Sequence, residues 1–179
     1  MATSSTNKMP LLVDRPLFEI ASLGEAAGLS SATNLNTPVG AGCKLLVDCS
    51  SGEGAVIDSL SVVITESSTT QATVLAFMST ATNAALITNA NTMPVAAVAI
   101  PGGNTLGQRL NVSLPPLSVP VPNLASPAAT MATYPTETDK KNTGLYVPSG
   151  MLLYVGLSAA LTAPSAATRV IACAQGGYF

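Results

Sequence analysis

A chain of 179 residues with net charge −2, 9% charged side chains, 47% apolar residues and neither His nor Trp is long enough for one domain with a core and too short for two of ordinary size. Globular proteins average about 25% charged residues, so this exterior is unusually neutral. It offers no basic stripe to neutralise phosphates and no electrostatic attachment to an acidic membrane, and its apolar fraction excludes a disordered polymer.

Met1 to Lys8 has no basic region followed by an apolar stretch, so synthesis in a cytoplasm without a secretory leader is expected. Breakers are scattered over residues 1–40 at Pro10, Pro16, Gly24, Gly28, Pro38 and Gly40, and no long periodic face develops. This segment reads as an extended N-terminal arm, with at most a turn or two of helix over Leu17 to Ala27. It holds five of the sixteen charges (Lys8, Asp14, Arg15, Glu19, Glu25) and apolar anchors at Leu11, Leu12, Leu17, Phe18 and Ile20.

From residue 41 onward the pattern is β. Lys44 to Asp48 is a short apolar run closed by the turn residues Ser50 to Gly54. Ala55 to Thr65 then alternates, with Val56, Leu60, Val62 and Ile64 on one face, Ser59, Ser61 and Thr65 on the other, and Asp58 and Val63 out of phase. Ala72 to Met78 is expected to answer it as a hairpin partner. Ala84 to Thr88, Val95 to Ile100, Arg109 to Leu114, Met151 to Ser158 and Arg169 to Ala174 are further short strands, separated by turns at Pro101 to Asn104, Pro148 to Gly150 and Ala163 to Ser165. Short strands with Gly and Pro punctuation predict an all-β domain over 41–179, a β-sandwich or jelly roll.

Residues 114–135 stand apart as a Pro-rich insertion, with Pro115, Pro116, Pro120, Pro122, Pro127 and Pro135 removing backbone donors and favouring extended chain. It is either a long loop or an edge segment lying against another subunit. Leu117, Val119 and Val121 favour a contact surface over a linker. From Ser67 to Gln108 there is no charged side chain at all, which suits a surface covered by neighbouring protein. The longest apolar run, Met151 to Leu161, is eleven residues, well short of the roughly twenty of a membrane helix.

Chemistry is sparse. A Ser or Cys nucleophile most often takes a His base, which this chain lacks, and the four Asp and five Glu are dispersed, so no catalytic residue is assigned and no enzyme is expected. Asp58 is expected to bond a turn amide or pair with an Arg at a sheet end. Cys43, Cys49 and Cys173 lack metal-ligand spacing. They are expected as three reduced, buried thiols, with a Cys43–Cys49 or Cys43–Cys173 disulfide as the alternative, and neither metal nor cofactor is expected. The Gly102 to Arg109 segment lacks the Gly-Lys-Ser/Thr ending of a phosphate loop and reads as a turn. The terminal Gly-Gly-Tyr178-Phe179 leaves two rings free to turn into a groove.

Three segments occur in order: Gly54 to Thr65 with Ile57, Ser59 and Leu60, then Ala72 to Met78, then Gly144 to Val155 containing Leu145-Tyr-Val-Pro-Ser-Gly150, with Val170 to Phe179 ending in Gly-Gly-Tyr-Phe. This ordered set, over about half the chain, resembles a group of small structural proteins of tailed bacteriophages. The group carries a G-x-x-I-x-S-L/I strand, an L-x-V-P-x-G turn and a terminal Gly-Gly-acidic/Tyr-aromatic motif. Tyr178 replaces the usual acidic residue, and the Pro-rich segment is extra material. The resemblance implies a non-enzymatic capsid cement or decoration protein on the exterior of the virion. It would be a homotrimer bound to the major capsid protein, without nucleic acid or membrane. A tail-fibre or receptor-binding module is the alternative, weakened by the 4% aromatic content. Interface candidates are Leu11, Leu12, Leu17, Phe18, Ile20, Leu117, Val119, Val121, Tyr178 and Phe179.

Overall fold

The computed structural model describes residues 15–24, 26–30, 38–66, 71–112, 114, 144–161 and 170–179. Among these residues nine strands follow one another: β1 Arg15–Leu23, β2 Cys43–Cys49, β3 Gly54–Ile64, β4 Ala72–Ser79, β5 Thr92–Ile100, β6 Arg109–Val112, β7 Leu145–Pro148, β8 Met151–Leu157 and β9 Val170–Tyr178. The only helical elements among the described residues are short 3-10 turns at Gly40–Gly42 and Ala84–Leu86. The chain is all-β, in two antiparallel sheets. One has the order β1-β9-β3-β6, with β7 also pairing β3; the other has the order β2-β8-β4-β5.

Strand β3 organises the five-stranded sheet. Along one edge it pairs with β9 over its whole length. Along the other, β7 takes Gly54 to Ile57 and β6 takes Leu60 to Val63. The β3–β9 register slips between Ile57 and Ser59, so Asp58 is the extra residue of a β-bulge. That extra residue restores the alternation the sequence breaks. Ala55 and Ile57 face inward before the bulge, and Leu60, Val62 and Ile64 after it, all buried, while Val56 turns to the outer side. Asp58 is therefore not a turn-capping residue. The capping role falls to Asp48, whose Oδ1 accepts the Ser50 amide at 2.8 Å.

The hairpin expected between β3 and β4 does not form. Both edges of β3 are occupied, and β4 lies in the other sheet between β8 and β5. The Thr65 to Gln71 link has no Gly or Asn to make a tight hairpin turn. Ala84 to Thr88, expected as a strand, is a 3-10 turn. Asn91 fixes it there, accepting from the Thr88 amide at 2.8 Å and donating to the Leu86 carbonyl at 2.9 Å.

One apolar cluster draws on both sheets. Leu17, Ala21 and Leu23 of β1, the inward row of β3, and Val170, Ala172 and Ala174 of β9 join Val47, Val74, Ala76, Leu153, Val155 and Leu157. A second cluster lies on the other face of the four-stranded sheet, where Leu75, Phe77, Leu152 and Tyr154 pack with Leu29, Cys43, Ala81 and Ile87. Strands β4 and β8 are thus buried on both faces, which is why their sequences are nearly continuous apolar runs. Tyr154 reaches across the second cluster, its buried hydroxyl donating to the Ala81 carbonyl at 2.8 Å.

The Leu145-Tyr-Val-Pro-Ser-Gly150 motif is a corner between the sheets. Leu145 and Val147 point inward, and Ser149 Oγ donates to the Gly52 carbonyl at 2.6 Å. Gly150, at φ 80°, closes the turn with its amide on the Cys49 carbonyl at 2.7 Å. The left-handed backbone conformation this turn needs is cheap only for glycine.

The segment expected to be an arm contributes, over Arg15–Leu23, an edge strand in unbroken register with β9. It is not helical, because Leu17, Ala21 and Leu23 recur at strand spacing and fill the core. Cys43 and Cys49 are buried, Cys173 is half-buried, and all three are free. The two cysteines of β2 lie at opposite ends of the strand, in different apolar clusters.

Candidate interaction surface

The outer side of the five-stranded sheet is built from residues of every strand in it. Register places Pro16, Gly177, Val56 and Tyr146 in one row and Phe18, Gln175 and Ser59 in the next. Ile20, Cys173, Ser61 and Asn111 form the third row; Ser22, Ile171, Val63 and Arg109 form the fourth. Phe18 is 66% exposed, Ile20 62% and Tyr146 43%. With outward positions about 6.8 Å apart along a strand and strands about 4.8 Å apart, the four rows cover roughly 500 Å². Single exposed apolar residues are ordinary; here Phe18, Ile20 and Tyr146 stand among the small or polar side chains of Ser22, Ser59, Asn111 and Gln175, in a mixed field nearly free of charge.

Charge on this side is confined to two places. Arg109 stands at the end of the fourth row, its guanidinium donating to Ser61 Oγ at 3.0 Å. Asp58, the bulge residue, is exposed while Ile57 before it is buried, which puts its carboxylate on the outer side beside Ser59. Between them the field is uncharged.

The sequence candidates divide. Phe18 and Ile20 stand out from this face as expected. Leu17, their neighbour, is buried, because strand geometry sends adjacent residues to opposite sides; it is a core residue. Tyr178 also points inward, packed on the core, where Arg15 lies over its ring at 4.6 Å and its hydroxyl donates to Glu19 Oε1 at 3.2 Å. It ties β1 to β9 and is no free ring. Phe179 turns back on Tyr146, ring centroids 6.2 Å apart, and its amide donates to the Gly54 carbonyl. Leu11, Leu12, Leu117, Val119 and Val121 lie outside the described residues. Sequence reasoning missed Tyr146, Ile171 and Cys173, which join the face only through pairing of distant strands. Val63, out of phase in the alternation, was the visible signal.

The titrating groups of this region act on stability. Burial, then the Glu19 charge and the hydrogen bond to it, push Tyr178 up to about 12, with Arg15 opposing. Burial pushes the Cys43 thiol up to about 11 and raises Cys49 as well. All three folded values exceed the unfolded ones, so this stability is complete below the unfolded pKa and is lost as pH rises through the folded one. Melting temperature is expected to hold up to about pH 9 and to fall across pH 9–12. Tyr178→Phe makes the fall between about pH 10 and 12 shallower and leaves the share of the thiols and of Tyr154, whose hydroxyl burial also raises, which thermal melts of both proteins across that range would resolve.

Among the described residues, no group of three or more His, Cys, Asp or Glu gathers to hold a metal ion, and no helix is long and apolar enough to cross a membrane. A shallow depression at Gly40, Cys43, Lys44 and Ala84 holds one charged group and no constellation for acid–base work. No family model, curated protein or solved structure matches this chain.

Proposed function

We propose that this chain is a non-enzymatic structural protein of a tailed-bacteriophage head, a cement or decoration protein that binds the assembled shell and holds it together. Its two sheets are taken as a β-sandwich of the jelly-roll kind, assembled as trimers on the capsid exterior against the major capsid protein. The observation that carries the reading is the charge-poor outer side of the five-stranded sheet, where Phe18, Ile20 and Tyr146 are held in solvent by a well-packed scaffold and only Arg109 and Asp58 carry charge. The ordered motif set over Gly54 to Phe179 gives the phage direction.

The mechanism is thermodynamic. A protein that binds the expanded shell and not its separated subunits stabilises the shell by mass action, by about 2.7 kcal/mol per site at a free concentration one hundred times the dissociation constant. Few charges and low net charge favour association over free diffusion. Leu11, Leu12, Leu117, Val119 and Val121 are the proposed shell contacts, carried on segments that leave the sheets at Arg15 and at β6.

Cryo-EM and quantitative mass spectrometry of purified particles test this. Hundreds of copies on the head are expected. A few to a few tens of copies on the tail would replace the reading with a tail-fibre role, and absence from the particle would end it.

A further inference from the structure

We propose that the free edge of β5 pairs antiparallel with the same edge of a second copy of this chain, about a two-fold axis at Val98. The sheets end at β1, at β6 with β7, at β2 and at β5. Sheet edges carry charges, prolines, bulges or short strands that keep like copies from adding to one another. All but one of these edges is guarded throughout. Strand β1 has Pro16, with Arg15 and Glu19 on the side of its core residue Leu17; β2 has Lys44 and Asp48 and a register slip at Leu46. Strands β6 and β7 are four residues each, one with Arg109 and the other with Pro148.

Strand β5 is guarded over its first half alone, and β4 shows which way its peptide groups point. The Thr73 carbonyl accepts the Ser158 amide at 2.8 Å and the Thr73 amide donates to Ser158 Oγ at 2.9 Å, so both Thr73 groups face β8. Ala99, opposite Thr73, and Ala97, opposite Leu75, therefore turn their amides and carbonyls away from β4. The slip between Ala76 and Phe77 makes Val95 a bulge and sets Pro94 opposite Phe77. Phe77 is in phase with Thr73, so the missing N–H of Pro94 falls on the outer edge, where a strand tolerates it. Past Val95 the guard stops. Ala96 to Ile100 is uncharged, Ala97 and Ala99 are exposed, and among the described residues no strand pairs with them.

This window is its own complement in one register. With the axis at Val98, Ala97 of each copy lies opposite Ala99 of the other, and each such pair exchanges both main-chain bonds. The two Val98 residues form the closer, unbonded pair between them, and the facing exposed side chains are alanines, which neither clash nor repel. An axis at Ala97 would set the Val95 bulge against Ala99, and one at Ala99 would set Pro101, which has no N–H, against Ala97. The occupant follows from what the guards do. They act against like copies, and the one stretch of edge that lacks them is the one whose open groups match themselves; from Ser67 to Gln108 no charge opposes the approach or steers a foreign strand to it. Pairing over five residues buries far less than the ~800 Å² a side of a standard interface, so the contact is weak in dilute solution and fills where copies are crowded. It goes beyond the proposed function and is tested on purified chain with no shell present.

Sedimentation equilibrium at high protein concentration is expected to show reversible pairing, as dimers or as dimers of a trimer. Ala97→Pro and Ala99→Pro each remove an outward amide that β4 does not use, and weaken pairing by roughly tenfold or more because the two-fold doubles every lost bond. The double variant A97K/A99K sets lysine opposite lysine and does not pair. A97E/A99E fails alone in the same way, and an equal mixture of the two restores pairing as a mixed species. Melting temperatures of the lysine and glutamate variants, close to that of the unaltered chain, report that the fold is intact. Three results would overturn the proposal. One is a chain that never pairs and whose Ala97 and Ala99 amides exchange slowly with deuterium, meaning another part of the chain covers the edge. The second is a chain that never pairs while those amides exchange freely, meaning the edge does not serve copies of this chain. The third is pairing that the proline and lysine variants leave unchanged, meaning another surface is used. None of them bears on shell binding.

Discussion

Gly176→Val is expected to abolish cooperative folding, and Gly176→Ala to lower stability by about 3 kcal/mol or more, the upper end of the range for overpacked interiors. Gly176 stands opposite Ile57, where Asp58 bulges the β3 backbone toward β9. A Cβ there would land on the Val56 carbonyl oxygen and come within 2.9 Å of Ile57 Cα. Backbone held on both edges by β9 and β7 cannot move aside as a flexible side chain does. The strain would fall on the most extensively paired strand of the sheet, next to Ile57 and Tyr178. For a chain of this length about 3 kcal/mol corresponds to a fall of roughly 6–12 °C in melting temperature, against a total stability of about 5–15 kcal/mol. Circular dichroism melts would read it. Gln175→Ala, one residue away on the outer side, is the control and should stay within about 0.5 kcal/mol. Normal melting of the valine variant would mean that β9 and β3 do not approach as described.

The second large effect concerns the N-terminus, where the position of the cut decides the outcome. Removing residues 1–14 spares β1, so the protein should remain folded with an unchanged melting temperature and lose its affinity for shells, because Leu11 and Leu12 are gone. Removing residues 1–39 takes β1 away. Leu17, Ala21 and Leu23 leave the core, β9 loses nine paired residues, and Tyr178 loses Arg15 and Glu19. Losing Leu17 and Leu23 alone costs about 4–10 kcal/mol, comparable with a total stability of about 5–15 kcal/mol before the lost pairing of β9 is added. The longer truncation should be insoluble or unfolded. Pull-down on shells lacking this protein, paired with thermal melts, separates the cases. Retained shell affinity in the shorter truncation would remove the N-terminal residues from the mechanism.

The pattern of what was legible in the sequence follows from burial. Strands β2, β3, β4 and β8 announce themselves because a strand buried on both faces, or on one with clean alternation, leaves an apolar record. Strand β1 left none, since Leu17, Ala21 and Leu23 face the core while Phe18 and Ile20 face outward; with apolar residues on both sides, the period of two disappears. Strand β7 is four residues ending in Pro148, too short to show a period. The bulge shows in the sequence only as Asp58 breaking the alternation, and without the pairing partner Val56 is read on the wrong face; Val63 is a separate misfit, an apolar residue on the outer side. Phe18 and Ile20 could be picked out as surface candidates because they sit in a charged segment. Tyr146, Ile171 and Cys173 could not, because each becomes part of the face only when β7 and β9 take their places beside β3 and β1.

The central claim is that this protein acts by burying a neutral exterior in a larger assembly. The most direct measurement adds purified chain back to expanded shells that lack it and follows bound copies and shell disruption temperature together. Saturable binding to a fixed number of sites, with a parallel rise in that temperature and no binding to dissociated shell subunits, is the predicted result. Shells that take up none of the chain, or take it up without any gain in stability, would contradict it.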